Sequence, residues 1–199
     1  MCGIVGFTGE HQAAPILLDG LSKLEYRGYD SAGIAIRDGS ADAEIIKAKG
    51  RLKVLAEKTN DGESVKGTCG IGHTRWATHG GVTDVNAHPH RVGKVVLIHN
   101  GIIENYRQIV TEYGLADQLV SETDSEVVAA LLNKFYEGDP VKAIKKTVKV
   151  LSGAFALCIM FQDIPDTIYA IRNVSPMVAT SCERGSVIAS DLTALIEFS

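Results

Sequence analysis

The order of strand-like and helix-like segments is the feature that most restricts the fold of this sequence. Short apolar runs typical of β-strands come in consecutive groups, and segments with helical spacing also follow one another. Parallel α/β proteins instead alternate strand and helix, so this order predicts an α+β fold with largely antiparallel sheets. Neither an internal repeat nor a linker interrupts the 199 residues, and we expect one domain over residues 2–199.

Local patterns assign most of the chain to an element. Helices are predicted over residues 12–26 and around residues 54–58. Three more are predicted: one that ends at Gly114, one that begins at the capping box of Thr123 and Glu126, and one that begins after Asp139. Residues 74–93, rich in Gly, His, Asn and Asp, are predicted to form an irregular loop. Loops of this length are usually functional or disordered, and the Trp, His and Arg residues in this one are not typical of a linker. Strands are predicted at residues 2–7, 31–37, 43–49, 69–73, 95–99, 154–161, 167–172, 177–180 and 187–189.

Charge and hydropathy exclude several classes of function. Lys and Arg number 20 against 24 Asp and Glu, a net charge of −4 without a basic block, so we expect no nucleic-acid partner and no membrane partner. The apolar runs are far shorter than the roughly 20 residues that span a bilayer. The N-terminus also lacks the features of a signal peptide, and we expect a cytoplasmic protein.

The cysteines and histidines do not follow a metal-binding pattern. The four cysteines include no C-x-x-C and no close pair, which argues against a disulfide framework and a thiolate zinc site. Cys69 and Cys158 lie in apolar segments and are predicted to be buried. The five histidines between residues 73 and 99 match no standard ligand spacing, and no glycine-rich phosphate loop is present. We therefore expect neither a metal nor a cofactor.

Cys2 holds a special chemical position because only Met1 precedes it. If Met1 is removed, Cys2 carries both a thiol and a free α-amine, which titrates at about pH 8 when unperturbed. A terminal nucleophile that uses its own amine as a base is a recognised catalytic arrangement. The alternative is that the cysteine stands there by accident, and this feature alone leaves both interpretations open.

Asn100 and Gly101 follow the predicted strand at residues 95–99. An Asn amide and a Gly N–H at a strand end are able to point at one oxygen atom, as an oxyanion hole requires. An ordinary Asn-Gly turn between strands explains the same two residues. Taken alone, the turn is the preferred interpretation.

Arg75 and Asp124 are candidates for recognising opposite charges. A guanidinium at the end of a buried strand and next to Trp76 suits bidentate binding of a carboxylate, although a surface salt bridge explains it equally well. Asp124 either binds an ammonium group or caps its helix.

Six sequence motifs, which occur in the same order in a known protein family, decide between these alternatives. They are residues 2–6 (CGIVG), 26–33 (YRGYDSAG), 73–80 (HTRWATHG), 86–90 (NAHPH), 99–105 (HNGIIEN) and 121–126 (SETDSE). Over essentially its whole length the chain resembles the class II glutamine amidotransferases. Within them it is most similar to the N-terminal glutaminase domain of the glutamine–fructose-6-phosphate aminotransferases, the isomerising glucosamine-6-phosphate synthases. Residues 26–33 and 76–80 favour this branch over the amidophosphoribosyltransferases and the asparagine synthetases.

The resemblance implies a fold and a reaction. The fold is that of N-terminal-nucleophile hydrolases, a four-layer αββα sandwich of mostly antiparallel sheets. The reaction is hydrolysis of the side-chain amide of L-glutamine to glutamate and ammonia through a γ-glutamyl thioester on Cys2, with the α-amine as base. Asn100 and Gly101 would stabilise the oxyanion, which in such sites contributes on the order of 10²–10³ in rate.

The resemblance also implies roles for further residues. Arg75 would hold the substrate α-carboxylate and Asp124 the α-ammonium group. Trp76, Thr78 and His79 would line the loop that closes over glutamine. Auxiliary roles are expected for Arg27, His88 and His99.

Two departures from the family pattern limit what this chain is expected to do. The sugar-isomerase domain, which uses the ammonia to aminate fructose 6-phosphate in a homo-oligomeric enzyme, is missing, and the glutaminase domain itself is expected to be truncated at its C-terminus. Amination by this chain alone is therefore not expected. The alternative function is that of a non-catalytic, glutamine-binding regulatory module, which would keep Arg75 and Asp124 but need neither the thiol nor the amine.

Overall fold

Two antiparallel sheets pack face to face between helices in the computed structural model, which describes residues 2–39 and 41–198. The strands in chain order are β1 Gly3–Gly9, β2 Ser31–Arg37, β3 Glu44–Lys49, β4 Cys69–Arg75, β5 His90–Val92, β6 Val95–Gly101, β7 Phe155–Phe161, β8 Tyr169–Asn173, β9 Val178–Cys182 and β10 Gly185–Ala189. The α-helices are α1 Ala13–Ser22, α2 Leu52–Lys58, α3 Tyr106–Tyr113, α4 Asp124–Phe135 and α5 Pro140–Val148.

Strand order places the two ends of the described chain in one sheet. The first sheet has the order β3-β2-β4-β1-β10-β9, and the second has the order β5-β6-β7-β8. The N-terminal strand β1 therefore lies between β4 and β10, with both neighbours antiparallel. A strand that is paired on both edges is held firmly, so the residue directly before it has a fixed position.

Burial explains why the strands form a layered structure. β2, β4 and β7 are buried at every position, because one face of each sheet packs against the other sheet and the opposite face is covered by helices. Helices α1 and α2 contribute to the apolar core on the outer side of the first sheet, and α3, α4 and α5 to the core on the outer side of the second. The core between the sheets includes Ile4, Ile71, Ile98 and Cys158. This αββα arrangement confirms the predicted α+β class.

The predicted elements agree with the structure in type and differ at their ends. The helix predicted over residues 12–26 ends at Ser22, and Glu25–Arg27 forms a separate 3₁₀ turn. The reason is tertiary, since the Glu25 side chain accepts a hydrogen bond from Leu52 N at 3.1 Å and Arg27 pairs with Asp191 at 2.6 Å. Part of the turn predicted between β2 and β3 falls on Ser40, which lies outside the described residues.

Helix α4 begins as predicted, but the capping box is incomplete. The Thr123 hydroxyl accepts a hydrogen bond from Glu126 N at 3.2 Å, as an N-cap should. The Glu126 carboxylate accepts from Ser121 N and Val120 N rather than from Thr123 N, so it holds the segment before the helix instead of the cap residue. The result fixes Asp124 at the first turn of α4.

The irregular loop is shorter than the sequence predicted. Strand β4 continues through Arg75, because Arg75 pairs with Ser31 of β2, and β5 begins at His90, which pairs with Leu97. Residues 76–89 remain as the connection. Cys69 and Cys158 are buried, as predicted.

None of the helices in residues 2–39 and 41–198 is long and apolar enough to cross a membrane. The same described residues contain no group of three or more His, Cys, Asp or Glu side chains arranged to hold a metal ion.

Candidate active site

The sandwich brings the predicted nucleophile and the predicted oxyanion donors together from different sheets. Cys2 directly precedes β1 of the first sheet, and Asn100 and Gly101 end β6 of the second. The Asn100 side-chain amide donates a hydrogen bond to the Cys2 carbonyl oxygen, with Nδ2 and O 2.9 Å apart. Residues separated by 98 positions in the sequence are therefore in direct contact.

The Cys2 thiol is partly buried and contacts the residue that follows β4. Trp76 N–H donates to the Cys2 sulfur, with N and Sγ 3.2 Å apart. Burial raises the pKa of the Cys2 thiol above its ordinary value, while the Trp76 N–H lowers it. Because burial is the larger effect, the thiol is protonated at neutral pH, and attack by its sulfur atom would require a base. Met1, whose removal would free the α-amine, lies outside the described residues.

Gly101 occupies a position where any side chain would be strained. Its φ angle of +122° lies in a region that other residues avoid, and a Cβ atom there would lie 2.0 Å from the Ala154 carbonyl oxygen. The strand end carrying Asn100 and Gly101 is thereby pressed closely against the start of β7.

Arg75 is buried rather than part of a surface salt bridge. Only 3% of it is exposed, and its guanidinium donates to the carbonyl oxygens of Gly81 at 3.0 Å and Gly80 at 3.3 Å, and to that of His79. The arginine therefore organises the loop that follows its own strand. Asp124 is also buried, and its carboxylate accepts a hydrogen bond from Ile103 N at 2.8 Å.

A narrow cleft connects these groups. It contains the predicted nucleophile, one of the oxyanion donors and both of the charged side chains. Its lining residues are Cys2, Arg75, Trp76, Thr78, His79, His88, His99, Gly101, Thr123, Asp124 and Ser125. A cation and an anion thus face the same space as the thiol, which suits a zwitterionic ligand.

A second, more apolar cavity borders Cys2 on another side. Arg27, Asn100 and Pro176 are among its lining residues. Arg27 lies in this cavity and not in the cleft with Arg75, and its guanidinium pairs with Asp191.

The residues after β4 form one wall of the cleft. Trp76 is half exposed and packs edge-on against Tyr29, with ring centroids 5.5 Å apart. The His79 ring packs against Tyr106 with centroids 5.4 Å apart. Sequence reasoning missed Asp30, whose carboxylate accepts from Ala77 N and so anchors this wall. The signal was available, because Asp30 lies within one of the recognised motifs.

His88 and His99 meet at a serine that sequence reasoning also missed. His88 Nε2 and His99 Nδ1 each lie 2.9 Å from Ser125 Oγ. Both rings are buried, and burial lowers the pKa of each histidine below its ordinary value. The two rings are therefore neutral at pH 7, and they position α4 against β6.

A further missed residue is His73 on β4. It is fully buried, its ring stacks on His88 with centroids 4.0 Å apart, and burial lowers its pKa to about 3. Its Nε2 atom lies 3.0 Å from both the His99 carbonyl oxygen and Asn100 Oδ1. The sequence alone did not indicate that His73 contacts Asn100.

Comparisons with known proteins agree with the resemblance that the sequence motifs indicated. The family model described as "Glutamine amidotransferase domain" matches residues 82–197. The chain is 48% identical over 203 residues to the glutamine–fructose-6-phosphate aminotransferase (isomerizing) of Caldanaerobacter subterraneus subsp. tengcongensis, covering 100% of this chain and 33% of that protein. It is 47% identical over 201 residues to the protein of the same name from Clostridium tetani, covering 98% and 32%. The chain thus spans about a third of the length of these relatives.

Solved structures show the same fold. The glutamine phosphoribosylpyrophosphate amidotransferase from B. subtilis, complexed with ADP and GMP, superposes with a TM-score of 0.84 at 26% identity, covering 98% of this chain and 43% of that one. A glutamine aminotransferase class-II domain protein from Silicibacter pomeroyi gives a TM-score of 0.67 at 17% identity, covering 94% and 88%, and supports the fold alone.

Proposed function

Because this chain belongs to the glutamine amidotransferase domain family and has the N-terminal-nucleophile hydrolase fold, we propose that its cleft hydrolyses the side-chain amide of L-glutamine. The observation that carries the proposal is the contact between Cys2 and Asn100, which joins a nucleophile on one sheet to an oxyanion donor on the other. The products are glutamate and ammonia.

The reaction needs a free α-amine on Cys2. After removal of Met1, the amine takes the thiol proton as Sγ attacks the amide carbon of glutamine. The negative charge that develops on the carbonyl oxygen is stabilised by the Asn100 side-chain amide and by Gly101 N–H. The amine then protonates the leaving nitrogen, ammonia departs, and a γ-glutamyl thioester remains on Cys2. Water hydrolyses the thioester, which releases glutamate and restores the thiol.

The charged side chains in the cleft select the substrate. Arg75 binds the α-carboxylate and Asp124 the α-ammonium group, so a free amino acid is preferred over a glutamine within a protein chain. Trp76, Thr78 and His79 cover the bound glutamine. Support comes from the burial of both side chains in the same cleft as the Cys2 thiol, where a ligand with the opposite charges would offset part of the cost of burying them.

The fate of the ammonia follows from the relatives. Since they carry the name glutamine–fructose-6-phosphate aminotransferase and are about three times as long, we propose that residues 2–199 form the glutaminase part of such an enzyme. A further, sugar-isomerase domain would receive the ammonia and aminate fructose 6-phosphate in a homo-oligomer. Arg27, in the second cavity beside Cys2, has an auxiliary role there.

A covalent-labelling experiment tests the proposal. The glutamine mimic 6-diazo-5-oxo-L-norleucine should add once to Cys2 in protein whose intact mass shows the loss of Met1. Cys2→Ala should abolish both labelling and glutamate release while glutamine still binds. Cys182→Ala is the matched control, because Cys182 is also a partly exposed free cysteine but lies on β9. Tight glutamine binding by the processed wild type without glutamate release would instead favour the regulatory module.

A further inference from the structure

We propose that His73 is a positioning residue that fixes which way the Asn100 side-chain amide faces in the oxyanion site. The proposal deepens the proposed hydrolysis of glutamine and rests on it. The side-chain amide of an Asn can flip, which exchanges the positions of its oxygen and its nitrogen, at little intrinsic cost. One orientation presents a donor to the reacting oxygen, and the other presents an acceptor. A catalytic asparagine therefore needs a neighbour that distinguishes its oxygen from its nitrogen.

The hydrogen-bond partners of His73 determine its tautomer. Nε2 lies 3.0 Å from the backbone carbonyl oxygen of His99, which can only accept a hydrogen bond. The ring is neutral because burial lowers the pKa of His73 to about 3, so it carries one proton. That proton is consequently on Nε2, and the buried Nδ1 atom, which has no hydrogen-bond partner among the described residues, carries the lone pair.

The tautomer of His73 in turn determines the orientation of Asn100. The Asn100 atom 3.0 Å from Nε2 must accept from the same N–H, which identifies it as Oδ1. The amide nitrogen then faces Cys2, where Nδ2 donates to the Cys2 carbonyl oxygen at 2.9 Å. Rotation of the amide would set two donors against each other at His73 and two acceptors against each other at Cys2. In the observed orientation, the second N–H of the Asn100 amide remains available to the reacting carbonyl oxygen of glutamine.

Packing holds the ring itself in place. His73 is fully buried, stacks on His88 and belongs to β4, whereas Asn100 belongs to β6 of the other sheet. β4 pairs directly with β1, the strand that follows Cys2. The His73–Asn100 bond therefore joins the sheet that carries the nucleophile to the sheet that carries the oxyanion donor.

A matched pair of variants isolates the donor. In His73→Gln the side-chain nitrogen replaces Nε2 and still donates, while His73→Met has a similar length and no donor. We expect kcat for glutamate release to fall roughly 10²-fold in His73→Met, the loss typical of a missing oxyanion donor. The KM for glutamine should stay within about twofold of wild type, because Arg75 and Asp124 hold the substrate. His73→Gln should regain most of the lost rate.

Non-additivity shows whether His73 acts through Asn100. The double variant His73→Met with Asn100→Ala should lose no more activity than Asn100→Ala alone. The proposal would be overturned if the double variant lost activity by the product of the two single-variant losses. An unaffected kcat in His73→Met, or equal activity of the His73→Gln and His73→Met variants, would also overturn it.

A spectroscopic measurement keeps the inference testable apart from activity. Nitrogen NMR of wild-type protein should show His73 as the neutral Nε2–H tautomer. The Asn100 amide protons should be protected from exchange in wild type and in the His73→Gln variant, and should lose that protection in His73→Met. An Nδ1–H tautomer would refute the positioning role even in a chain that released no glutamate. If wild-type protein has the Nε2–H tautomer but releases no glutamate, the result would count against the proposed function alone.

Discussion

Acid should destabilise this protein well above the pH at which carboxylates are protonated, because its site contains several buried neutral histidines. His73, His88 and His90 are each at most 5% exposed, and burial lowers the pKa of all three. In the unfolded chain each of them titrates at about 6.5. The unfolded state therefore binds more protons than the folded state below that pH, and the free energy of unfolding falls as the pH decreases.

The magnitude follows from the two pKa values of His73. With a folded pKa of about 3 and an unfolded value of about 6.5, lowering the pH from 7.5 to 5 costs about 2 kcal/mol of unfolding free energy. His88 and His90 act in the same direction, so the total loss exceeds that from His73 and is a large part of the stability of a typical domain. His99 contributes less, because the nearby Asp124 raises its pKa and partly offsets burial.

Urea titrations at about pH 7.5, 6.5, 5.5 and 5.0 measure this dependence across the range in which unfolded histidines titrate. Carboxylates in an unfolded chain titrate at about 4, so they contribute little within this range. His73→Gln is the internal control, and its unfolding free energy should fall by about 2 kcal/mol less than that of wild type over the same interval. A wild-type decrease below about 2 kcal/mol, or an identical slope in the variant, would refute the assignment of neutral buried histidines.

Two further substitutions test the geometry of the cleft. Gly101→Ala should lower the free energy of unfolding by about 1–3 kcal/mol and reduce glutamate release, because its Cβ would lie 2.0 Å from the Ala154 oxygen; unchanged thermal unfolding would contradict this. Asp124→Asn keeps an acceptor for Ile103 N but removes the charge, so the KM for glutamine should rise about 10–100-fold with a smaller change in kcat. Equal losses for glutamine and for an analogue without the α-amino group would show that Asp124 does not bind that group.

Much of the fold was predictable because the signals are local. Strand β2 was predicted with its observed bounds, and α4 and α5 begin after the capping residues Thr123 and Asp139, whose side chains accept hydrogen bonds from the first turn of each helix. The end of α1 was predicted four residues late, since its helical periodicity continues through Leu24 while contacts of Glu25 and Arg27 with distant residues redirect the chain.

The candidate site divides in the same way. Cys2, Asn100, Gly101, Arg75 and Asp124 were identified from sequence motifs, and the structure places four of them around one cleft, with Asn100 in contact with Cys2. Their roles remain predictions that the substitutions above test.

Neighbours along the chain were enough to specify the type of most elements, the α+β class and the candidates for chemistry, because periodicity, capping and motif spacing are local properties. The contact of His73 with Asn100 and the burial of Arg75 against its own loop came instead from the three-dimensional packing. The first contact joins strands of two different sheets, and the second joins the end of a strand to the loop that follows it. Their geometry depends on how the sheets pack, which a local pattern does not specify.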